Sequence, residues 1–291
     1  MKRKNIEALR SRDRSIYTDS SFNPSEAERL NTPSRLKGRS FLRRRNKSAK
    51  VTVVMPAYNA ERTLERTYRD IPKQDVDEIV VVDDDSNDKT VEVAKRLKLP
   101  VIVHKKNLGY GGNQKTCYRE ALKRRAGIIV MIHPDYQYDA TLTGYLIQPI
   151  IEKRYDIMLG SRIRSREEAL RGGMPLYKYL SNRFLTLCEN LVLGLNLSEY
   201  HTGFRAYRSE VLNKLPLDNF SNDFVFDQEI LISAHACGYR IGEIAVPVRY
   251  FPEASSINFW RSAKYGLMII YLLIIYILDI IGIKNRIFVK K

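Results

Sequence analysis

From Lys50 to His133 one unit recurs: a short apolar run, then a stretch of helical periodicity. Val51–Pro56, Glu78–Asp83, Val101–Lys105 and Gly127–His133 read as buried strands, and Glu61–Ile71, Lys89–Leu97 and Gly112–Arg124 as the helices between them. This βαβ rhythm predicts a mostly parallel, Rossmann-like sheet with helices on both faces, so that ligands bind at the carboxyl ends of the strands. Further strands are expected at Ile157–Gly160 and Gly242–Tyr250, and helices at Tyr177–Leu193 and Asp227–Cys237. A chain of 291 residues suits one large α/β domain with appendages.

Charge separates the appendages from that domain. Residues 1–50 hold fifteen Lys/Arg against five Asp/Glu, which accounts for +10 of the net +16. Residues 1–47 therefore read as a basic, flexible tail with too few large apolar side chains to offset its ordering entropy. No apolar signal segment is expected there. Such a tail suits a membrane surface, and no nucleic-acid partner is expected, because no basic run with interleaved aromatics lies beside a recognisable nucleic-acid module. At the other end, Tyr265–Ile283 has Asp279 as its only charge and is flanked by Arg261, Lys264, Lys284 and Arg286. It is long enough either to cross a bilayer or to lie along one. The expected division is thus a tail at 1–47, a catalytic domain at 48–260 and a membrane-associated helix at 261–291. Cys117, Cys188 and Cys237 are too few and too dispersed for a disulfide framework or a zinc cluster and read as core thiols.

The chemistry is expected where strands deliver acids to the ligand-binding edge. The run ending at Asp83 continues as Asp84-Asp85-Ser86-Asn87-Asp88, and the run ending at Ile132 continues as His133-Pro134-Asp135-Tyr136-Gln137-Tyr138-Asp139. Two acidic clusters at converging strand ends suit a divalent cation clamping a diphosphate. Asp88 reads equally as a helix cap. Between the clusters, Asn107-Leu-Gly-Tyr-Gly-Gly-Asn113 opens a helix and offers backbone N–H groups to a phosphate. It has neither the dinucleotide nor the Walker spacing, which argues against a dehydrogenase or an NTPase. His104 and His235 have no partner at metal-ligand spacing and read as structural.

Taken in order, Met55-Pro-Ala-Tyr-Asn59, Val82-Asp-Asp-Asp-Ser86, Asn107-Leu-Gly-Tyr-Gly-Gly112, Asp135 with Gln137, Gly160-Ser-Arg162, Thr202-Gly-Phe-Arg205 and Glu243-Ile-Ala-Val-Pro247 resemble the successive motifs of family-2 glycosyltransferases, in the branch of the dolichyl-phosphate mannose synthase-like enzymes. The resemblance implies the A-type glycosyltransferase fold and inverting transfer from a UDP- or GDP-sugar. It places Pro56, Ala57, Tyr58, Asn59, Asp84, Gly111, His133 and Arg162 around the nucleotide-sugar donor. It gives Mg²⁺ or Mn²⁺ to Asp135 and Gln137, with His133 standing where the family usually has an acid. Arg162 and Arg205 fall where basic residues surround phosphates. Asp227 or Glu229 is the candidate general base for a hydroxyl acceptor; for a phosphate acceptor, already anionic, these acids orient instead. Asp223 reads as a helix cap, and Arg164, Arg166 and Arg171 as an acceptor loop or a solvated charged loop.

The function these residues point to is transfer of a sugar to a polyprenyl-phosphate lipid at the cytoplasmic face of a membrane. Transfer to a hydroxyl of a polysaccharide or glycolipid is the alternative, and a non-catalytic nucleotide-sugar-binding protein, motivated by His133, is the reading of another class.

Overall fold

The computed structural model describes residues 49–163, 165–171, 174–247 and 259–283. The basic tail, Arg164 and the 250–257 segment lie outside them.

Seven strands form one sheet in the order β3-β2-β1-β4-β6-β5-β7. They are β1 (Val51–Ala57), β2 (Glu78–Asp83), β3 (Val101–Val103), β4 (Ile128–Met131), β5 (Ile157–Ser161), β6 (Arg205–Arg208) and β7 (Ile241–Ala245). The first four run parallel, as does β5 with β7. Only β6 is antiparallel, to β4 on one side and β5 on the other. β1 is an interior strand, between β2 and β4, and all seven of its residues are buried, as a strand covered on both faces requires. Its side chains alternate: Val54 faces one apolar cluster with Val82, Ile129 and Leu159, while Val53 and Met55 face another with Val81 and Val130.

The first cluster is roofed by α3 (Tyr110–Lys123), α6 (Leu176–Leu193), α8 (Phe226–Ala236) and α9 (Phe259–Ile280); α1 (Leu64–Asp70), α2 (Thr90–Arg96) and α4 (Thr143–Ile151) cover the second. Two short helices complete the described set, α5 (Arg166–Arg171), which carries Arg166 and Arg171, and α7 (Ser209–Lys214). The predicted α/β sheet is present. The C-terminal helix begins earlier than expected, at Phe259, and its inner face, including Ile269, Leu272 and Leu273, joins the first cluster.

Three elements carry no expectation from the sequence. β6 contains two arginines in four residues and so hides its strand character. α4 contains Pro149, and α7 is only six residues long. The Asp-rich turns are largely internal caps. Asp88 accepts from Thr90 N at 2.9 Å and Glu61 N at 3.0 Å. Asp139 caps a 3₁₀ turn at Ala140–Leu142 through Thr141 N at 3.1 Å. The cysteines are free, two of them buried and Cys188 partly so.

Candidate active site

Chain direction reverses between β1 and β4: successive crossovers carry the chain from β1 outward to β2 and β3, then back past β1 to β4. Loops at the carboxyl ends of these strands must part there, which opens a crevice. A cleft of about 800 Å³ lies at that point. Pro56 and Tyr58 border it from the end of β1, Asp84 from the end of β2, and His133 and Asp135 from the end of β4. Tyr58 is 52 % exposed at the rim, an aromatic face left open to a planar ligand.

The crevice walls are tied together by side chains. Asn113 donates to Ala57 O at 3.3 Å and Val82 O at 3.2 Å, stapling the ends of β1 and β2. Asn59 N donates to Ser86 Oγ at 2.9 Å, and Asn59 Oδ1 accepts from Asn87 N at 2.9 Å. Asp84 accepts from Leu108 N at 2.9 Å and Gly109 N at 3.0 Å, while His104 Nδ1 lies 2.7 Å from its carboxylate. His104 is therefore structural, as expected.

The glycine-rich loop differs from its sequence reading. Gly111 N donates to Asn222 O at 2.8 Å, and a Cβ on Gly111 would lie 2.6 Å from Ser221 O. Leu108 N and Gly109 N go to Asp84 and Gly111 N to Asn222, and the missing side chain of Gly111 lets the 221–226 segment approach. Gly111 therefore has a packing role and does not line the cleft, while Gly109, Tyr110 and Asn113 of the same loop do.

A second cavity of about 230 Å³ adjoins the first, and the two share Tyr110, His133, Asp135, Phe224 and Tyr265 as a common wall. The Tyr110 hydroxyl donates to Asp227 Oδ2 at 2.8 Å, so it accepts from His133 Nε2 at 3.1 Å, which fixes the imidazole as the Nε2–H tautomer. Burial, against the attraction of Asp227, pushes the His133 pKa down to about 4. Its ring stacks on Tyr110 with centroids 5.1 Å apart. The ring, with its Nε2 engaged, forms part of the wall between the two cavities. Asp135 differs: burial raises its carboxyl to about 6 despite the Gln137 N–H bonded to Oδ1 at 3.1 Å. Asp135 lines both cavities and Gln137 the second.

The two arginines part company. Arg162 lines the second cavity and is held by Glu199, with Nε 2.9 Å from Oε1 and the Arg162 N–H 2.7 Å from Oε2. Burial, with Arg162 next in effect, lowers the pKa of neighbouring Lys178. Arg205 is fully buried; it donates to Thr202 O, Tyr200 O and Asp227 O at 2.6, 3.0 and 3.1 Å, and lies 3.3 Å from Asp227 Oδ2. It lines neither cavity, so it holds Asp227 in place and does not touch a ligand. Of the two candidate bases, Asp227 borders the second cavity. Glu229 instead accepts from Ser221 N at 2.7 Å and lines neither. Asp223 lines the first cleft and accepts from Phe224 N at 2.8 Å. Ala57 is buried in β1.

Tyr110, Lys178, Phe224 and Tyr265 went unassigned from sequence. Tyr110 had a signal, an aromatic inside a glycine-rich loop. Lys178 and Tyr265 reach the site through helix packing, and Phe224 through the turn that precedes α8, neither of which local sequence encodes.

The sheet order, the crevice at the reversal of chain direction and the paired cavities define an A-type glycosyltransferase fold. The chain belongs to glycosyl transferase family 2, whose sequence profile matches residues 52–216. It is 31 % identical over 200 residues to an uncharacterized protein of Methanocaldococcus jannaschii, covering 69 % of this chain and 82 % of the other. It is 28 % identical to the UDP-N-acetylglucosamine–dolichyl-phosphate N-acetylglucosaminyltransferase of Methanococcus voltae, covering 69 % and 86 %. Among solved structures, glucosyl-3-phosphoglycerate synthase from Mycobacterium tuberculosis in complex with UDP shares the fold, with a TM-score of 0.60, 21 % identity and 82 % of each chain covered. That enzyme has also been solved with Mn²⁺, UDP and phosphoglyceric acid.

Proposed function

We propose that this glycosyltransferase moves a sugar from a UDP- or GDP-sugar in the larger cleft to a polyprenyl phosphate whose head group enters the smaller cavity, at the cytoplasmic face of a membrane. The observation carrying this reading is the composition of the smaller cavity. It brings Arg162 and Lys178 together with apolar Met174 and Leu185, and it shares a wall with the donor cleft. Two cations held close, one with its pKa lowered, gain from an anion between them. A phosphate on an apolar chain meets both demands.

In that reaction the acceptor phosphate oxygen attacks the anomeric carbon from the face opposite the leaving group. The bond from the anomeric carbon to the diphosphate breaks, the electron pair leaves with the nucleoside diphosphate, and the anomeric configuration inverts. Tyr58 stacks on the base, Pro56 and Asn59 border it, and Asp84 shapes the crevice wall. Asp135 and Gln137 would hold a divalent cation: both offer hard oxygen donors, one from a carboxylate that burial already disfavours as a lone anion. Mg²⁺ or Mn²⁺ bound there would supply positive charge against the charge developing on the leaving diphosphate. Asp227, fixed by Arg205 and Tyr110, orients the wall between donor and acceptor.

A hydroxyl acceptor is the second reading. Asp227 Oδ1 is buried beside the cavity with no hydrogen-bond partner, as a general base in waiting would be. The test is transfer of radiolabel from a panel of UDP- and GDP-sugars, with Mg²⁺ or Mn²⁺, into polyprenyl phosphate. Label in an acid-labile, organic-extractable product is expected, with UDP-sugars tried first. Label only in polysaccharide or glycolipid hydroxyls would move the assignment to the second reading.

A further inference from the structure

Helices α6 and α9 pack side by side, so closely at Gly266 that a Cβ there would lie 3.6 Å from a Leu185 methyl. Each buries one face in the first apolar cluster. Each also exposes a second apolar face. On α6 the exposed stripe is Leu176, Leu180, Phe184, Leu187 and Leu191; on α9 it is Leu267, Tyr271, Ile274, Ile277 and Ile281 just beyond the last turn. The spacings of three and four keep each stripe on one side of its helix. Leu191 and Leu267 are 74 % and 72 % exposed, far more than a globular surface usually tolerates in a contiguous apolar patch.

Charge on the two helices is sorted as well. Their acids, Glu189 and Asp279, are both buried, whereas their bases, Lys178, Arg183, Arg261 and Lys264, are all exposed or half-exposed. The charges that the two helices themselves expose are therefore all positive, with Lys264 paired to Asp223 at 3.1 Å, beside an apolar outer surface, the pattern that a bilayer with anionic head groups complements. Both helices also border the smaller cavity, through Lys178 and Leu185 on α6 and Ser262 and Tyr265 on α9.

We infer that α6 and α9 form one docking platform that lies along a lipid bilayer, with α9 resting in the plane of the interface and not crossing it. Helix α9 is long and apolar enough to span by length and composition. Spanning would strip Ile269, Leu272 and Leu273 from the core cluster and leave the α6 stripe facing water. Lying flat keeps the inner contacts and buries both stripes at once. The inference deepens the function proposed above and rests on it only for the identity of the acceptor: the platform sets the mouth of the smaller cavity at head-group depth, so a lipid phosphate reaches it without leaving the membrane.

The test uses the full chain and no sugar donor or acceptor, so its failure would leave the transferase reading standing. Flotation is measured with vesicles of phosphatidylcholine alone and mixed with phosphatidylglycerol. The variant carrying Leu180→Glu, Phe184→Glu and Leu187→Glu, with its thermal transition checked against the native chain, is expected to lose at least about tenfold in vesicle partition. As a readout independent of that variant's folding, Leu187→Trp in a Trp260→Phe background should shift its emission to the blue on vesicles and be quenched by lipids brominated in their acyl chains. Unchanged partition of the triple variant, or a Leu187→Trp reporter that brominated lipid does not quench, would overturn the platform and leave α9 as a lone anchor. It would equally be overturned if the native chain sedimented as a dimer that the triple variant dissociates while vesicle binding stayed the same, because the surface would then belong to a second copy.

Discussion

Asp227 shows how much one buried carboxylate can organise. Arg205 and the Tyr110 hydroxyl hold one of its oxygens, and through Tyr110 it fixes the tautomer of His133. Removing its charge leaves a fully buried guanidinium without its counter-ion. Asp227→Asn is thus expected to lose on the order of 3–5 kcal/mol of stability in urea denaturation; a loss below about 1 kcal/mol would mean that the three carbonyls around Arg205 suffice alone. Asp135 is different in kind, since it lines both cavities and bonds only locally. Asp135→Asn should keep the native melting temperature and lower transfer on the order of 10²–10³-fold, the usual cost of one lost contact to developing charge. Full activity in that variant would remove Asp135 from the metal and the leaving group.

At the scale of elements, sequence carried the parallel half of the sheet well because β1, β2 and β4 are dominated by buried apolar residues, with Thr52 and Asp83 the buried polar exceptions. It did not carry β6. Arg205 and Arg208 make that strand look like surface; buried Arg205 is neutralised by Asp227 on α8, and half-buried Arg208 pairs with Asp156 before β5 as well as with nearby Glu210. The donor side of the site was legible for the same reason as β1 and β2, since its residues sit directly at strand ends. The acceptor side was not, because Lys178 and Tyr265 arrive on helices whose docking depends on the whole core.

Two predictions belong to this scale. Gly111→Ala should cost about 1–3 kcal/mol by forcing α3 away from the 221–226 segment, read as a lowered urea midpoint. An unaffected midpoint would mean that the segment yields freely. Burial alone would raise the Asp156 carboxyl, but the Arg240 side-chain and backbone donors and the charge of Arg208 outweigh it and hold the pKa below its ordinary value. Its contribution is then present above the unfolded-state pKa and is lost as pH falls through the folded one. Asp156→Asn should destabilise by about 1–2 kcal/mol at neutral pH and progressively less as the pH falls through the lowered native pKa, below which the native carboxyl is neutral as well. A pH-independent difference would contradict the ion-pair account of how β5, β6 and β7 are joined at this end.

For the molecule as a whole, the wall shared by the two cavities has a kinetic meaning. Tyr110, His133, Asp135, Phe224 and Tyr265 face both chambers, and none of them is a residue that forms a covalent bond to sugar in the proposed reaction. Donor and acceptor must then be present together, and initial rates measured over both concentrations should give intersecting double-reciprocal lines. Parallel lines would demand a glycosylated enzyme and two successive displacements in place of the single inverting one proposed. In the proposed reaction the common wall also divides the exits by chamber: spent nucleotide would leave from the larger cleft and glycosylated product from the smaller cavity, so neither would have to queue behind the other.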